Sequence, residues 1–324
     1  MSVYVSTIPF ADPNSLPLEM LQAQGLEVRL NSRGRKIKKN ELIADLGDSE
    51  CFIAGTEVID REVIDSAPNL KLIARVGIGL DGVDLLEARR RGIKVTYTPE
   101  APAPAVAELT IGLMLQLARK IGFSNQDIRE AEWNRHFGFR LSEMTIGVIG
   151  AGRIGGRVLR RLSAFGSPRI LVNSLTRDDS VSPNLKLSWV DKDTIYRESD
   201  LITLHIPLTP QTRNMISTRE ISMMKEHAML VNTARGGIVN ENDLYTALTS
   251  NTIASAAIDV FEEEPYLGPL ARLSNCFCTA HLGSMSFDCR SRMEIEASDE
   301  VVRHVMGLEP LRLVPETEYQ LREN

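Results

Sequence analysis

Short apolar runs alternate with helix-patterned stretches for nearly the whole length of the chain, the signature of parallel sheets covered by helices. A first series predicts strands at residues 3–5, 27–30, 51–54, 72–74 and 94–96, with helical patterns between them, as at 41–46 and 84–91. The stretch Thr98-Pro99-Glu100-Ala101-Pro102-Ala103-Pro104 then places three prolines within six residues and predicts a break in regular structure. A long apolar helix over 105–121 follows, and a second series predicts strands at 145–149, 170–173, 201–204, 229–231 and 253–257. Residues 285–306 read as one final helix. There is no short-period repeat and no low-complexity tract. The two series are alike in kind, so the pattern predicts two doubly wound α/β domains with a cleft between them.

Composition narrows the setting. The 324 residues, 43% of them hydrophobic, suffice for two domains that each bury a core. With 37 basic against 43 acidic side chains the formal net charge is −6, which argues against a nucleic-acid surface. The basic run Arg33, Arg35, Lys36, Lys38 and Lys39 before Leu42-Ile43 reads as a solvated loop and first helical turn, or as an attractor of anionic substrate. The four cysteines form no C-x-x-C pair, the first residues read as a strand rather than a signal peptide, and no apolar run is long enough to span a bilayer. Reduced thiols, a cytoplasmic location and no membrane partner are the expectation.

The strand at 145–149 runs straight into Gly150-Ala151-Gly152-Arg153-Ile154-Gly155, and a helical pattern with Val158, Leu159, Leu162 and Phe165 apolar follows it. A G-x-G-x-x-G alone says little, but this strand–turn–helix setting makes it a dinucleotide fingerprint. Gly150 permits the tight turn, Gly152 lets a pyrophosphate approach backbone N–H groups, and Gly155 lets helix and strand pack closely. An acid at the end of the next strand would select NAD through the ribose hydroxyls. That strand instead ends Val172-Asn173-Ser174, with Arg177, Asp178 and Asp179 beyond. Asn173 and Ser174 would not repel a 2′-phosphate and Arg177 could pair with one, so both NAD and NADP stay open.

Reduction of a 2-keto acid by a nicotinamide needs a proton donor for the keto oxygen, a group that orients that donor, and a cation for the carboxylate. Three strand ends carry such groups. Arg235 lies in Asn232-Thr233-Ala234-Arg235-Gly236-Gly237, Glu264 closes the acidic run after Asp259, and His281 stands in Ala280-His281-Leu282-Gly283. Each has a plain alternative as a surface ion pair, a solvated acid or a helix-start residue, but their common position at strand ends favours a site.

In these segments the chain resembles the D-isomer-specific 2-hydroxyacid dehydrogenases, over nearly its whole length and in order. Ala105-Val106-Ala107-Glu108-Leu109, the glycine motif, Ser199–Thr209, Asn232–Gly237, Ile258–Pro265 and His281-Leu282-Gly283 carry the likeness. The resemblance implies that Arg235 binds the substrate carboxylate and polarises its carbonyl, and that His281 donates the proton in reduction. Glu264 would stabilise the imidazolium and hold its tautomer. Asp259 would receive the nicotinamide carboxamide. His205 and Pro207 would line the cofactor site, unless His205 serves a structural role instead, with Arg153, Ile154, Thr233, Ala234 and Gly283 as further contacts. The backbone of Gly77, Ile78 and Gly79 would bind the substrate carboxylate. Arg75 would reach the far end of the substrate, where a guanidinium suits a phosphate, or else pair with an acid of its own domain.

The implied fold is two Rossmann-like domains: a discontinuous, flavodoxin-like substrate domain of residues 1–98 and 291–324, and a dinucleotide domain of residues 99–290. The first expectation for the substrate is 3-phosphoglycerate and its keto acid, with glyoxylate or hydroxypyruvate reduction as the alternative. A non-catalytic dinucleotide-sensing protein is the alternative of another class. No metal is expected, nor a carboxyl-terminal regulatory domain. The apolar stretch 109–117 predicts a homodimer built on the nucleotide domain.

Overall fold

A computed structural model describes residues 1–166, 168–182 and 185–323. The chain divides into two compact units, Met1–Pro102 with Ser284–Asn324, and Ala103–Gly283. The sequence expectation puts the changeovers at 98/99 and 290/291.

In the first unit the strands β1 (Ser2–Val5), β2 (Glu27–Leu30), β3 (Cys51–Ala54), β4 (Leu72–Arg75) and β5 (Lys94–Tyr97) form one parallel sheet in the order β2-β1-β3-β4-β5. The helices α1 (Leu16–Gln22), α2 (Lys39–Leu46), α3 (Arg61–Asp65) and α4 (Leu85–Arg90) make the crossovers. Central β3 is buried at all four positions, as a strand covered on both faces must be. Asp60 and Asp84 cap α3 and α4 through backbone N–H groups of Val63 and Glu87.

The second unit opens with α5 (Ala103–Ala118) and α6 (Ile121–Arg129). Its strands are β6 (Thr145–Ile149), β7 (Arg169–Asn173), β8 (Leu187–Trp189), β9 (Leu201–Leu204), β10 (Met229–Asn232), β11 (Ser255–Ile258) and β12 (Cys276–Cys278). They lie parallel in the order β12-β11-β10-β9-β6-β7-β8. Helices α7 (Arg153–Leu162), α8 (Lys192–Glu198), α9 (Thr218–Ser222) and α10 (Glu241–Thr249) link them. The strand order reverses between β6 and β9, the switch point whose carboxyl ends hold ligands in open α/β sheets. The chain then returns to the first unit through α11 (Phe287–Val305) and α12 (Glu316–Glu323).

Four expectations need correction. The proline stretch does not hold off the helix: α5 starts at Ala103, and Pro104 sits in its first turn, where a missing N–H leaves no bond unmade. The helix expected to run to Ile121 ends at Ala118, because Lys120 turns left-handed (φ 52°) and α6 begins anew. Strands β8 and β12 were not expected. Finally, the apolar face of α5 does not lie bare, since Ala107, Ile111, Leu113, Met114 and Leu117 pack into the unit's own core with Ile146, Val158 and Leu162. That face therefore gives no ground for a dimer.

Candidate active site

The carboxyl ends of β10, β11 and β12 carry the residues expected to do acid–base work. After β10, Asn232 is buried and braces its own loop: Oδ1 accepts the Ala234 N–H at 3.0 Å and Nδ2 donates to the Arg235 carbonyl at 2.9 Å. Thr233 joins its hydroxyl to that of Thr110 on α5 at 2.9 Å, and both residues are buried. The Arg235 guanidinium donates to the Ala234 carbonyl at 2.7 Å, and its side chain remains partly open to solvent. Gly236 lies so close to the Phe261 backbone that any Cβ there would collide with it. The Arg235 loop is thus seated directly on the segment leading to Glu264.

After β11, Asp259 is fully buried and gathers the next loop around its carboxylate. Oδ1 accepts the Thr279 hydroxyl at 2.6 Å and the Leu282 N–H at 2.7 Å, and Oδ2 accepts the Gly283 N–H at 2.9 Å. The Asp259 carbonyl also accepts the His281 N–H at 2.9 Å. His281 itself sits left-handed at φ 52°, a conformation that costs a non-glycine residue about 1–2 kcal/mol and that the surrounding bonds must hold. Its Nδ1 lies 2.9 and 3.1 Å from the two carboxylate oxygens of Glu264, whose Oε1 also accepts the Phe261 N–H at 3.1 Å. An ionised carboxylate can only accept, so the pair assigns the proton to Nδ1 and leaves Nε2 without that partner. With side-chain exposures of 33% and 23%, the imidazole and its partner are reachable without being fully solvated.

The dinucleotide loop stands at the switch point. Gly150 adopts φ 96°, and a Cβ there would strike the His205 carbonyl. A Cβ on Gly155 would strike the Gly150 carbonyl, whereas one on Gly152 would meet open space. Gly152 is the N-cap of α7 and makes no side-chain cap bond, so the first N–H groups of the ten-residue helix remain for an anion. Arg153, exposed, and Ile154 open that helix. This geometry fits a dinucleotide pyrophosphate. His205, half-buried as a residue, has its Nδ1 shut off from solvent without a partner, and Nε2 shares a hydrogen with the Thr203 hydroxyl at 3.0 Å. Burial pushes this imidazole down to about 3, so it stays neutral beside the loop. Pro207 is exposed, and its carbonyl accepts the Thr212 hydroxyl at 2.7 Å.

At the end of β7, Asn173 turns its amide to the Val190 carbonyl at 2.8 Å, and its own carbonyl accepts the Gly150 N–H at 2.7 Å. Ser174 is half-buried beside it. Arg177 pairs with Asp179 at 3.2 Å and stands 5.9 Å from the Trp189 ring centre.

In the first unit, Arg75 ends β4 and folds over Gly77, donating to the Val76 carbonyl. The Gly77 N–H is given to the Thr98 hydroxyl at 2.8 Å, so the donors left for an anion in this loop narrow to Ile78 and Gly79, both half-buried. Beside it, buried Glu57 accepts the Gly55 N–H at 2.6 Å. Sequence reasoning missed Asn232, Thr279, Thr110 and Glu57. Asn232 had a visible signal, as the polar residue that closes a buried strand, and Glu57 bonds a near neighbour, while Thr279 and Thr110 depend on partners distant in sequence.

The comparisons agree with this geometry. The sequence model of the family described as D-isomer specific 2-hydroxyacid dehydrogenase, NAD binding domain, matches residues 111–283. The chain belongs to this family. A hydroxypyruvate reductase of Thermotoga maritima is 37% identical over 276 residues, covering 83% of this chain and 89% of the relative. A D-3-phosphoglycerate dehydrogenase of Methanocaldococcus jannaschii is 38% identical, over 84% of this chain and 52% of its own length. The crystal structure of D-lactate dehydrogenase from Aquifex aeolicus, complexed with NAD and lactic acid, aligns with a TM-score of 0.86 at 26% identity, covering 97% of this chain and 99% of that one. As a family member the chain is an oxidoreductase that acts on 2-hydroxy acids with NAD or NADP. Among the described residues, no helix is long and apolar enough to cross a membrane.

Proposed function

We propose that this enzyme reduces a compact 2-keto acid of the glyoxylate or hydroxypyruvate type, with Arg235, Glu264 and His281 as its working groups. The observation that carries the reading is the Glu264–His281 pair, held by the Asp259 latch and seated against the Arg235 loop. When bound, the dinucleotide supplies the hydride to the keto carbon. Arg235 grips the carboxylate and draws electron density from the carbonyl through charge-assisted bonds. His281 delivers a proton from Nε2 to the keto oxygen, and Glu264 stabilises the imidazolium that precedes delivery. In oxidation the same nitrogen takes the proton back.

Two features favour a small uncharged tail. Arg75 lies on its own loop backbone rather than extended, and the Glu57 carboxylate stands at the neighbouring strand end, where a phosphate would meet repulsion. The guanidinium at the end of β4 keeps 3-phosphohydroxypyruvate as the second reading. An assay crossing glyoxylate, hydroxypyruvate, pyruvate and 3-phosphohydroxypyruvate with both reduced dinucleotides decides the matter. The reading expects the highest kcat/KM on one of the two small acids, and a preference for the phosphorylated acid overturns it. Dinucleotide binding without turnover on any acid would instead favour the sensing alternative.

A homodimer and a cytoplasmic location complete the proposal. Ile121, Ile128, Trp133, Phe137 and Phe139 expose large apolar side chains along one segment, with Trp133 82% and Phe137 95% exposed, which is the kind of surface a second copy covers. The four cysteines are all free thiols, as a reducing compartment would keep them.

A further inference from the structure

Among the described residues β12 is an edge strand, hydrogen-bonded to β11 alone. Its sequence is Cys276-Phe277-Cys278, so the two thiols share one face and the phenyl ring takes the other. Their sulfurs lie 3.7 Å apart. Cys276 is buried in the core cluster that includes Leu270, and Cys278 packs against the same cluster while remaining partly open to solvent. Among the described residues no third His, Cys, Asp or Glu joins them in a metal-binding group.

We propose that Cys276 and Cys278 form an oxidisable dithiol that closes to a disulfide and thereby disengages the loop of His281. The two sulfurs need to approach by about 1.7 Å to reach a bond of about 2.0 Å. In an extended strand, residues two apart have Cα atoms about 6.6–6.8 Å apart, at the upper end of what a disulfide spans, so closure shortens the strand. An edge strand yields more readily than a central one. The shortening falls next to the latch: Cys278 is in register with Ile258, the Thr279 N–H donates to the Ile258 carbonyl at 2.9 Å, and the Thr279 hydroxyl donates to Asp259. Moving Cys278 therefore pulls on the residue that ties His281 in place.

The chemistry balances with hydrogen peroxide as oxidant. The Cys278 thiolate attacks one peroxide oxygen, the O–O bond breaks, and a sulfenic acid forms while the departing hydroxide takes up the proton the thiol released and leaves as water. The Cys276 thiol then attacks that sulfur and expels a second water, leaving the S–S bond. The order follows from exposure: Cys278 is partly open to solvent while Cys276 is buried, and their contact lowers the Cys278 thiol below its usual range and, together with burial, raises that of Cys276. Cys278 attacks first and Cys276 resolves.

The link to activity rests on the catalytic assignment of His281, whereas the thiol chemistry does not. The test treats the reduced full-length enzyme with a small excess of peroxide, blocks remaining thiols with iodoacetamide, and follows both peptide mass and kcat. The peptide bearing Cys276 and Cys278 is expected to lose two hydrogens and escape alkylation, with kcat falling by about tenfold or more and returning with dithiothreitol. Cys278→Ser is expected to keep its starting activity and lose the reversible inhibition. Cys276→Ser is expected to stop at a dimedone-reactive sulfenic acid on Cys278. Full alkylation of both cysteines in the treated wild type overturns the dithiol. A disulfide that forms with kcat unchanged overturns the coupling to His281. Reversible inhibition that survives in both variants overturns the site.

Discussion

Asp259→Asn tests what holds the His281 imidazole. Three donors converge on this buried carboxylate, at 2.6 and 2.7 Å on Oδ1 and 2.9 Å on Oδ2. An amide retains only one acceptor oxygen, so in either orientation its NH2 group faces a donor that previously had a partner. Hydrogen bonds to a charged group are worth about 1.5–3 kcal/mol, and a buried donor left unmet costs about 1–3 kcal/mol. The latch must also outweigh the left-handed backbone of His281, at about 1–2 kcal/mol. Losing about 2–3 kcal/mol of hold lowers the population of the productive loop, and with it kcat, by roughly thirty- to 150-fold. Thr279→Val removes one donor while leaving the carboxylate, and a smaller fall of about tenfold is expected. Initial rates on hydroxypyruvate give kcat and KM, and quenching or enhancement of nicotinamide fluorescence gives dinucleotide affinity separately. An Asp259→Asn enzyme with kcat within about twofold of wild type would refute the latch. A loss of dinucleotide affinity with kcat intact would return Asp259 to the nicotinamide carboxamide.

Other substitutions separate the remaining roles. His281→Ala is expected to lower kcat by about 10²–10⁴-fold, and Arg235→Ala to raise the KM for the keto acid while dinucleotide binding stays intact, as titration of each ligand would report. Asn173→Asp puts a carboxylate at the end of β7 and is expected to shift preference from NADPH toward NADH; an unchanged ratio of kcat/KM values would show that the ribose is held elsewhere. Trp133→Glu is expected to weaken the dimer, and sedimentation of both proteins at equal concentration would show it. His205 makes a pH prediction. Its folded imidazole stays neutral down to about 3, while the unfolded one takes a proton near about 6.5, so the unfolded chain binds more protons between those values. Its contribution to stability is complete above about pH 6.5 and is lost as pH falls, at no more than about 1 kcal/mol per pH unit. Urea unfolding at neutral and mildly acidic pH should show this slope, and His205→Gln should flatten it.

The local pattern of the chain carried most of the framework. Buried parallel strands declare themselves as apolar runs because both of their faces must be covered, and this placed β3, β6 and β9 to the residue. The glycine turn was equally legible, since Gly150 and Gly155 are required by backbone contacts that leave no room for a Cβ. The chemistry of Arg235, Glu264 and His281 was visible as residue types at strand ends. The three-residue strands β8 and β12 were not visible: Leu187, Ser188 and Trp189 are all half-buried, and so short an edge strand has no period of its own.

Tertiary structure decided who meets whom. An apolar helix face announces that something must cover it and says nothing of what does, so α5 suggested a second subunit where the unit's own sheet and α7 supply the cover. Asp259 announced a carboxylate at a strand end, but its partners at Thr279, Leu282 and Gly283 stand twenty or more positions away and meet it only because β11 and β12 lie side by side. The contact between Thr110 and Thr233 spans more than a hundred positions. Strand and turn propensities act over a few neighbouring residues, whereas strand order in the sheet brings distant ones together, and the support of the active site is built from the latter.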